Sequence, residues 1–250
     1  MRRSPSPILH SPPVTNMTPP QITIIIPVHN EAGFMGPALA RIRRQVDAVT
    51  PHYGIILVEN GSTDATHAEA LSEAASDPRL DVRQIDGADY GLAIRTGMEA
   101  AGNEGWLVVF DIDYHSGEFL QSVAELDGSA DVVIASKRAP GSRDRRPRIR
   151  RLATRVFNLA LRTVVGSGLT DTHGIKALRA PVVRALLPRV RLTEDLFDTE
   201  LVLRAERAGY RMIEVPITVE ELREARSSLL RRVPRTLRGL IALRRSLGNG

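Results

Sequence analysis

The sequence predicts an α/β domain built on a mostly parallel sheet flanked by helices, and three observations carry that expectation. Short runs of β-branched and aromatic residues, typical of strands buried on both faces, alternate with stretches of helical periodicity. The strand, loop and helix unit recurs four times in the first half of the chain. Its spacing of roughly 25 to 30 residues implies parallel pairing through right-handed crossovers. Polar residues recur at the carboxyl ends of those strands, where open α/β sheets bind their ligands.

Taken in order, residues 1–20 carry prolines at 5, 7, 12, 13, 19 and 20 and no apolar periodicity, so a disordered leader is expected. Arg2 and Arg3 are followed by no continuous apolar segment, which argues against a secretory signal. Ile22-Thr-Ile-Ile-Ile-Pro-Val reads as a first central strand, followed by His29-Asn30-Glu31 and a helix with Ala38, Leu39 and Ile42 on one face. Gly54-Ile-Ile-Leu-Val is a second strand ending in Glu59-Asn60, and Ser62 or Thr63 is a candidate cap for a helix to about Ala75. A third strand near Val82 to Ile85 precedes a helix from Leu92 to Ala101.

The fourth strand, Trp106-Leu-Val-Val-Phe, ends in Asp111-Ile-Asp113-Tyr-His115. Two carboxylates two residues apart share a direction if the backbone stays extended, and a turn could converge them on one ion. A helix from Gly117 to about Leu126, a strand at Asp131 to Ala135, a basic loop to Arg148 and an amphipathic helix from Ile149 to Val165 follow. Residues 169–178 read as a loop and short strand. A helix from about Glu194 to Ala208 stops at Gly209, and Tyr210 to Val215 with Pro216 to Val219 are expected to finish the sheet.

Composition narrows the partners. The chain has 250 residues, 42% hydrophobic, enough to bury a full core in one α/β domain or one domain with a small appendage. It contains no cysteine, which excludes disulfides and thiolate metal sites. Lys137 and Lys176 are its only lysines, so the net charge of +5 rests on arginine, the side chain suited to bidentate phosphate contacts. Arginine clusters at Arg138 to Arg151 and Arg223 to Arg245 point to phosphates or an anionic membrane surface. Nucleic acid fits poorly, because aromatics are 4% of the chain and none interleave the basic stretches. No apolar run approaches the ~20 residues of a membrane span.

The strings Ile-Ile-Ile-Pro-Val-His-Asn-Glu, Val-Glu-Asn-Gly-Ser-Thr-Asp, Gly-Leu-Ala-Ile-Arg-Thr-Gly-Met and Phe-Asp-Ile-Asp-Tyr-His stand in the order and spacing of a known family. In these the chain resembles the family 2 nucleotide-sugar glycosyltransferases, which have a GT-A fold. Ser136-Lys-Arg, Asp171-Thr-His-Gly-Ile-Lys and Phe197-Asp-Thr-Glu-Leu, with Gly209-Tyr-Arg-Met-Ile-Glu-Val-Pro-Ile, resemble the dolichol-phosphate mannose or glucose synthase branch. That branch transfers a sugar to a polyprenyl phosphate. The resemblance covers roughly residues 22–228 and implies a glycosyltransferase domain over 21–221, with a basic amphipathic tail over 222–250.

Carried over residue by residue, the resemblance implies that Pro27, His29 and Glu31 line the nucleotide. Glu59 and Asn60 belong to the base pocket, and Asp89 and Arg95 are neighbours of the nucleotide. Asp111 and Asp113 match the acidic motif, and His115 stands where the branch has Gln. Lys137, Arg138, Lys176 and Arg223 are candidates for acceptor or phosphate contacts. Asp198 holds the place of the wider family's carboxylate base, eleven residues before Gly209. Three departures stand out: Glu59-Asn60 replaces Asp-Asp, Tyr90 replaces Lys, and Arg223 is shifted by one residue.

The implied reaction is an inverting transfer of mannose or glucose from a GDP- or UDP-sugar. Mg²⁺ or Mn²⁺ held by Asp111, Asp113 and His115 would stabilise the departing diphosphate. An ionised phosphate acceptor needs no general base, whereas a hydroxyl acceptor needs one, for which Asp198 is the candidate. Two other classes compete: a sugar nucleotidyltransferase, which would carry a glycine-rich basic loop after the first strand, and a non-catalytic membrane-associated binding protein. The tail from Leu222 to Leu247, with eight arginines and Pro234 dividing two short helices, is expected to hold the protein peripherally on the cytoplasmic face of a membrane.

Overall fold

The structure is a computed structural model that describes residues 21–144, 148–172, 174–219 and 229–248. The proline-rich leader and Arg223 lie outside the described residues. The first half of the chain is β1 (Ile22–Val28), α1 (Met35–Asp47), β2 (Tyr53–Asn60), α2 (Thr66–Ser76), β3 (Leu80–Ile85), α3 (Tyr90–Ala100), β4 (Trp106–Val109) and α4 (Gly117–Glu125). The second is β5 (Val132–Ser136), β6 (Arg143–Asp144), α5 (Arg148–Val165), β7 (Lys176–Arg179), α6 (Ala180–Leu186), α7 (Phe197–Arg207), β8 (Met212–Pro216), β9 (Thr218–Val219) and α8 (Leu229–Gly248).

Seven strands form one sheet in the order β3-β2-β1-β4-β7-β5-β8. Strand β1 shows why it sits centrally: Ile22, Ile24 and Ile26 enter the core on one face, and Ile25 enters the core on the other. Helices α1 and α4 cover the first face, with Leu39, Ile42, Phe119 and Leu120 buried there. Helices α3, α6 and α7 cover the second through Ile94, Val183 and Leu201. Gly97 lets α3 lie directly on the sheet, since a Cβ there would run into Ile25. Each fully buried aliphatic side chain contributes about 1.5–3 kcal/mol, so these two layers carry most of the stability.

The strand that positions the site is β7. It runs antiparallel between β4 and β5, pairing Lys176 with Val109 and with Ile134. Its first residue therefore lies at the carboxyl end of β4, on the same rim as Asp111 and Lys137.

Several expectations are corrected. Strand β9 pairs with β6 in a separate two-stranded sheet, so the main sheet ends at β8. Helix α6, opened by Pro181 in its first turn, was absent from the sequence reading. Neither Ser62 nor Thr63 caps α2; Asp64 does the equivalent work by accepting the Thr66 amide at 3.0 Å. Helix α8 is continuous through Pro234. Pro234, the sixth residue of α8, gives up the bond to the Leu230 carbonyl, and the later turns are fixed by Leu240, Leu243 and Leu247 against Leu161, Val165 and Leu203.

Candidate active site

The carboxyl ends of β1 and β2 are joined by a dense polar network. His29 Nδ1 donates to the Asn60 carbonyl at 2.8 Å, and its Nε2 accepts from Asn30 at 3.1 Å, which fixes the tautomer. Asn30 adopts a left-handed conformation, φ 54°, and its side-chain oxygen accepts the Thr63 amide at 2.8 Å. The buried Glu31 donates its amide to Thr66 at 2.7 Å. Burial raises the Glu59 carboxyl, but hydrogen bonds from Ser62 and Gln84 outweigh it and hold the group below its usual range. The Asn60 side-chain oxygen accepts the Asp89 amide at 2.7 Å. Asp89 in turn caps α3 by accepting from Leu92 and also holds the Glu194 amide at 2.8 Å. Gly91 permits that approach: a Cβ there would lie 2.6 Å from the Glu194 backbone.

At the end of β4 the chain makes a tight turn, closed by mutual backbone hydrogen bonds between Asp111 and Tyr114. The two carboxylates thus sit on a turn rather than an extended strand, which is the second of the two geometries open to the sequence. The Tyr90 hydroxyl donates to Asp111 Oδ1 at 2.7 Å. Burial pushes the Asp111 carboxyl up, the Tyr90 hydrogen bond opposes it, and the charges of Asp113 and Asp198 add to the rise while Lys176 counters it. Tyr90 is itself raised by burial and by Asp111. His115 is displaced toward α1, where Nδ1 donates to Gln45 Oε1 at 2.7 Å and leaves Nε2 buried without a partner. Burial and Arg41 lower its pKa against the opposing charge of Asp113, and that lowering favours the neutral imidazole.

Beyond the acidic turn, Lys176 and Asp198 form a buried ion pair, with Lys176 also donating to the Thr172 carbonyl at 3.3 Å. Asp198 Oδ1 accepts the Thr199 amide at 2.7 Å. Lys137 pairs with the buried Asp171 at 3.4 Å and lies 6.0 Å above the Tyr114 ring. Glu214 anchors the loop that carries these groups by accepting from the Thr170 amide and hydroxyl and from the Asp171 amide. Arg138 is exposed at the rim.

The structure therefore gathers His29, Glu31, Glu59, Asn60, Asp89, Asp111, Asp113, Lys137, Arg138, Lys176 and Asp198 at one edge of the sheet, with Pro27 buried just beneath. Arg95 turns away from it. Its guanidinium donates to the Leu187 and Val190 carbonyls and stacks over Phe197 at 5.3 Å, so in this conformation it braces α3 against α7. Sequence reasoning missed Asp171, though it stands beside the quoted Lys176 motif, and it noted Tyr90 only as a departure. A depression of about 450 Å³ between α1 and α4 is lined by Arg41, Gln121 and the Gln45 that holds His115.

Among the described residues no three carboxylate or imidazole groups converge as a ready metal cage. Two carboxylates on one turn still suit Mg²⁺ or Mn²⁺, which bind through one or two protein carboxylates and complete their shell with phosphate oxygens and water. His115, expected as a third ligand, does not join them, being turned toward α1 by its hydrogen bond to Gln45.

The sheet carries a rim of acids, amides and two paired lysines, and comparison with known proteins resolves the class. The description "Glycosyl transferase family 2" matches residues 23–187, and the chain belongs to that family. It is therefore a glycosyltransferase. It is 33% identical over 212 residues to an undecaprenyl-phosphate mannosyltransferase of Micrococcus luteus, covering 80% of this chain and 84% of that one. It is 30% identical to a polyprenol monophosphomannose synthase of Mycolicibacterium smegmatis, covering 84% and 81%. Among solved structures, glucosyl-3-phosphoglycerate synthase of Mycobacterium tuberculosis in complex with UDP superposes with a TM-score of 0.63 at 19% identity, covering 90% of this chain and 79% of that one. The mannosyltransferase PcManGT of Pyrobaculum calidifontis, in complex with GDP-Man and Mn²⁺, superposes at 0.59 and 21% identity, covering 87% and 61%. These two likenesses establish the GT-A fold.

Proposed function

We propose that the chain is a metal-dependent, inverting transferase that moves a hexose, mannose or glucose, from a GDP- or UDP-sugar to a polyprenyl phosphate. The observation that carries this reading is the buried Lys176–Asp198 pair. Asp198 is the candidate base for a hydroxyl acceptor, yet one of its oxygens is held by the Lys176 ammonium and the other by the Thr199 amide. An acceptor phosphate is already ionised and requires no base. The names of the Micrococcus and Mycolicibacterium relatives support the same acceptor class.

In the proposed reaction an acceptor phosphate oxygen forms a bond to the anomeric carbon while the bond from that carbon to the nucleoside diphosphate breaks, the diphosphate leaving with the electron pair. Asp111 and Asp113 would hold Mg²⁺ or Mn²⁺, which supplies charge stabilisation for that leaving group. Asn60 and Glu59 present the base pocket, and His29 ties the end of β1 to it through the Asn60 carbonyl. Lys137 and Arg138 offer positive charge to the incoming phosphate, with Asp171 fixing Lys137 in place. The proposed place of work is the cytoplasmic face of a membrane.

Purified protein incubated with GDP-mannose, UDP-glucose and their exchanged counterparts, with Mn²⁺ and either a short-chain polyprenyl phosphate or the corresponding free polyprenol, tests the reading. Product with the phosphate and none with the alcohol is expected. Transfer to the alcohol, or to a sugar hydroxyl, in preference to the phosphate would overturn it and return Asp198 to the role of base.

A further inference from the structure

The second arginine cluster was the sequence's candidate for a membrane arm, but among the described large apolar side chains of α8 only Ile241 is exposed, at 56%. Leu240, Leu243 and Leu247 are buried against Leu161 and Val165 of α5 and Leu203 of α7. What this packing leaves open is the other edge of α5. Ile149, Leu152, Val156 and Leu159 are 64%, 55%, 60% and 62% exposed. Their spacing of three, four and three places them in one stripe along the helix, away from the inward-facing Leu161 and Val165. A stripe of four large aliphatic side chains in water is unusual on a surface that meets only solvent.

We infer that this stripe of α5 is a docking surface for an anionic lipid bilayer, on which the helix lies flat with its apolar edge among the acyl chains. Charge selects this occupant over another protein. Residues 145–170 contain no acid, and Arg151, Arg155 and Arg162 run beside the stripe, the last two exposed. Arginine flanking an apolar edge complements anionic headgroups. A second copy docked edge to edge would instead bring two sets of guanidinium groups together. The helix does not cross: among the described residues no helix is long and apolar enough to do so.

The position of α5 in the chain gives the surface a use that rests on the proposed lipid-phosphate acceptor. The segment leaving Lys137 and Arg138 at the rim leads into α5, and the segment leaving α5 leads through Asp171 back to Lys176. Asn158 of α5 donates to the Thr170 carbonyl at 2.7 Å, next to the Asp171 that pairs with Lys137, so a bilayer against the stripe would lie on a helix packed beside the residues offered to the acceptor phosphate.

The full chain, sedimented with vesicles of phosphatidylcholine mixed with phosphatidylglycerol, is expected to bind and to detach as salt rises, with little binding to phosphatidylcholine alone. Leu152→Asn with Val156→Asn should lower vesicle binding by roughly tenfold for each side chain removed. Both residues are exposed, so an unchanged Tm and unchanged affinity for GDP or UDP report the intact fold. Arg155→Gln with Arg162→Gln should weaken binding and flatten its salt dependence. Vesicle binding that is absent, or indifferent to the stripe substitutions, overturns the inference, as does a stripe-dependent dimer in sedimentation velocity without lipid binding. Transfer to a water-dispersed short-chain acceptor separates the two readings. The stripe variant should retain it and lose transfer to long-chain acceptor in vesicles, whereas absence of transfer in the unmodified protein would count against the proposed reaction and leave vesicle binding to stand or fall alone.

Discussion

Asp113 and Asn60 divide the rim's work between charge and recognition. Asp113 stands on the turn after β4, partly exposed, while the hydrophobic residues around it, Phe110 and Ile112, carry the packing. Asp113→Ala is therefore expected to leave cooperative unfolding intact while lowering the rate of sugar transfer by roughly 10²–10³, the loss typical when one electrostatic group is removed from a transition state. Full activity of the unmodified protein in the presence of chelator would remove the metal from the account. Asn60 uses its side-chain oxygen to accept the Asp89 amide. Asp at this position keeps that bond and loses only the two amide donors, so Asn60→Asp should change the ratio of affinities for UDP and GDP more than it changes the rate. Equal ratios for the two versions, measured by calorimetry, would place the base elsewhere. Both residues were readable from motif and position. Tyr90 was not readable as a partner of Asp111, because twenty-one residues separate them and only the packing of α3 on β1 and β2 brings its first residue to the end of β4.

Helices α7 and α8 meet through a buried latch that no local pattern announced. Glu200 is fully buried; its Oε2 accepts the Arg191 and Leu192 amides, and its Oε1 accepts Arg204 Nε at 2.8 Å and the Ser246 hydroxyl at 2.7 Å. The i, i+4 relation of Glu200 to Arg204 was plain in the sequence, but Ser246 and the two amides come from elements distant in the chain. Glu200→Ala strands Arg204 without its carboxylate, and a loss of about 3–5 kcal/mol is expected, read as a fall in Tm or denaturation midpoint. A change within error would mean that the latch is dispensable. Removing the whole tail is a blunt test of membrane binding for the same reason, since it would expose Leu161 and Leu203. The elements themselves follow the same division. Strands β1, β2, β4 and β5 were legible as β-branched runs, whereas the antiparallel insertion of β7 and the diversion of β9 to a second sheet depend on pairings that no single segment encodes.

Across the whole molecule, the shifted carboxyl groups do not all pull stability in the same direction with pH. Asp131 is held at about 2, chiefly by hydrogen bonds from the Arg211 side chain and despite partial burial. Its folded pKa is depressed, so its contribution is complete above the unfolded value near ~3.9 and is lost as pH falls through 2. Glu59 and Asp77 are shifted in the same direction. Asp111 has the reverse sign: burial raises its folded pKa above the unfolded one, so the folded state resists the ionised form and is weakened wherever that form prevails. A carboxylate kept half-buried beside Asp113 and within the field of Asp198 is strain the fold tolerates at its active rim. Asp111→Asn retains an oxygen for the Tyr90 hydroxyl and removes the charge. The variant should therefore unfold at a higher temperature than the unmodified protein at neutral pH and have lost transfer activity, and the gain in Tm should shrink to nothing as pH drops below about 4, where both states of the unmodified protein carry the proton. Thermal melts of the two proteins across that range, without metal or nucleotide, read the difference directly. A variant less stable at neutral pH, or a gain that persists in acid, would show that Asp111 contributes to the fold through its hydrogen bond to Tyr90 rather than opposing it through its charge.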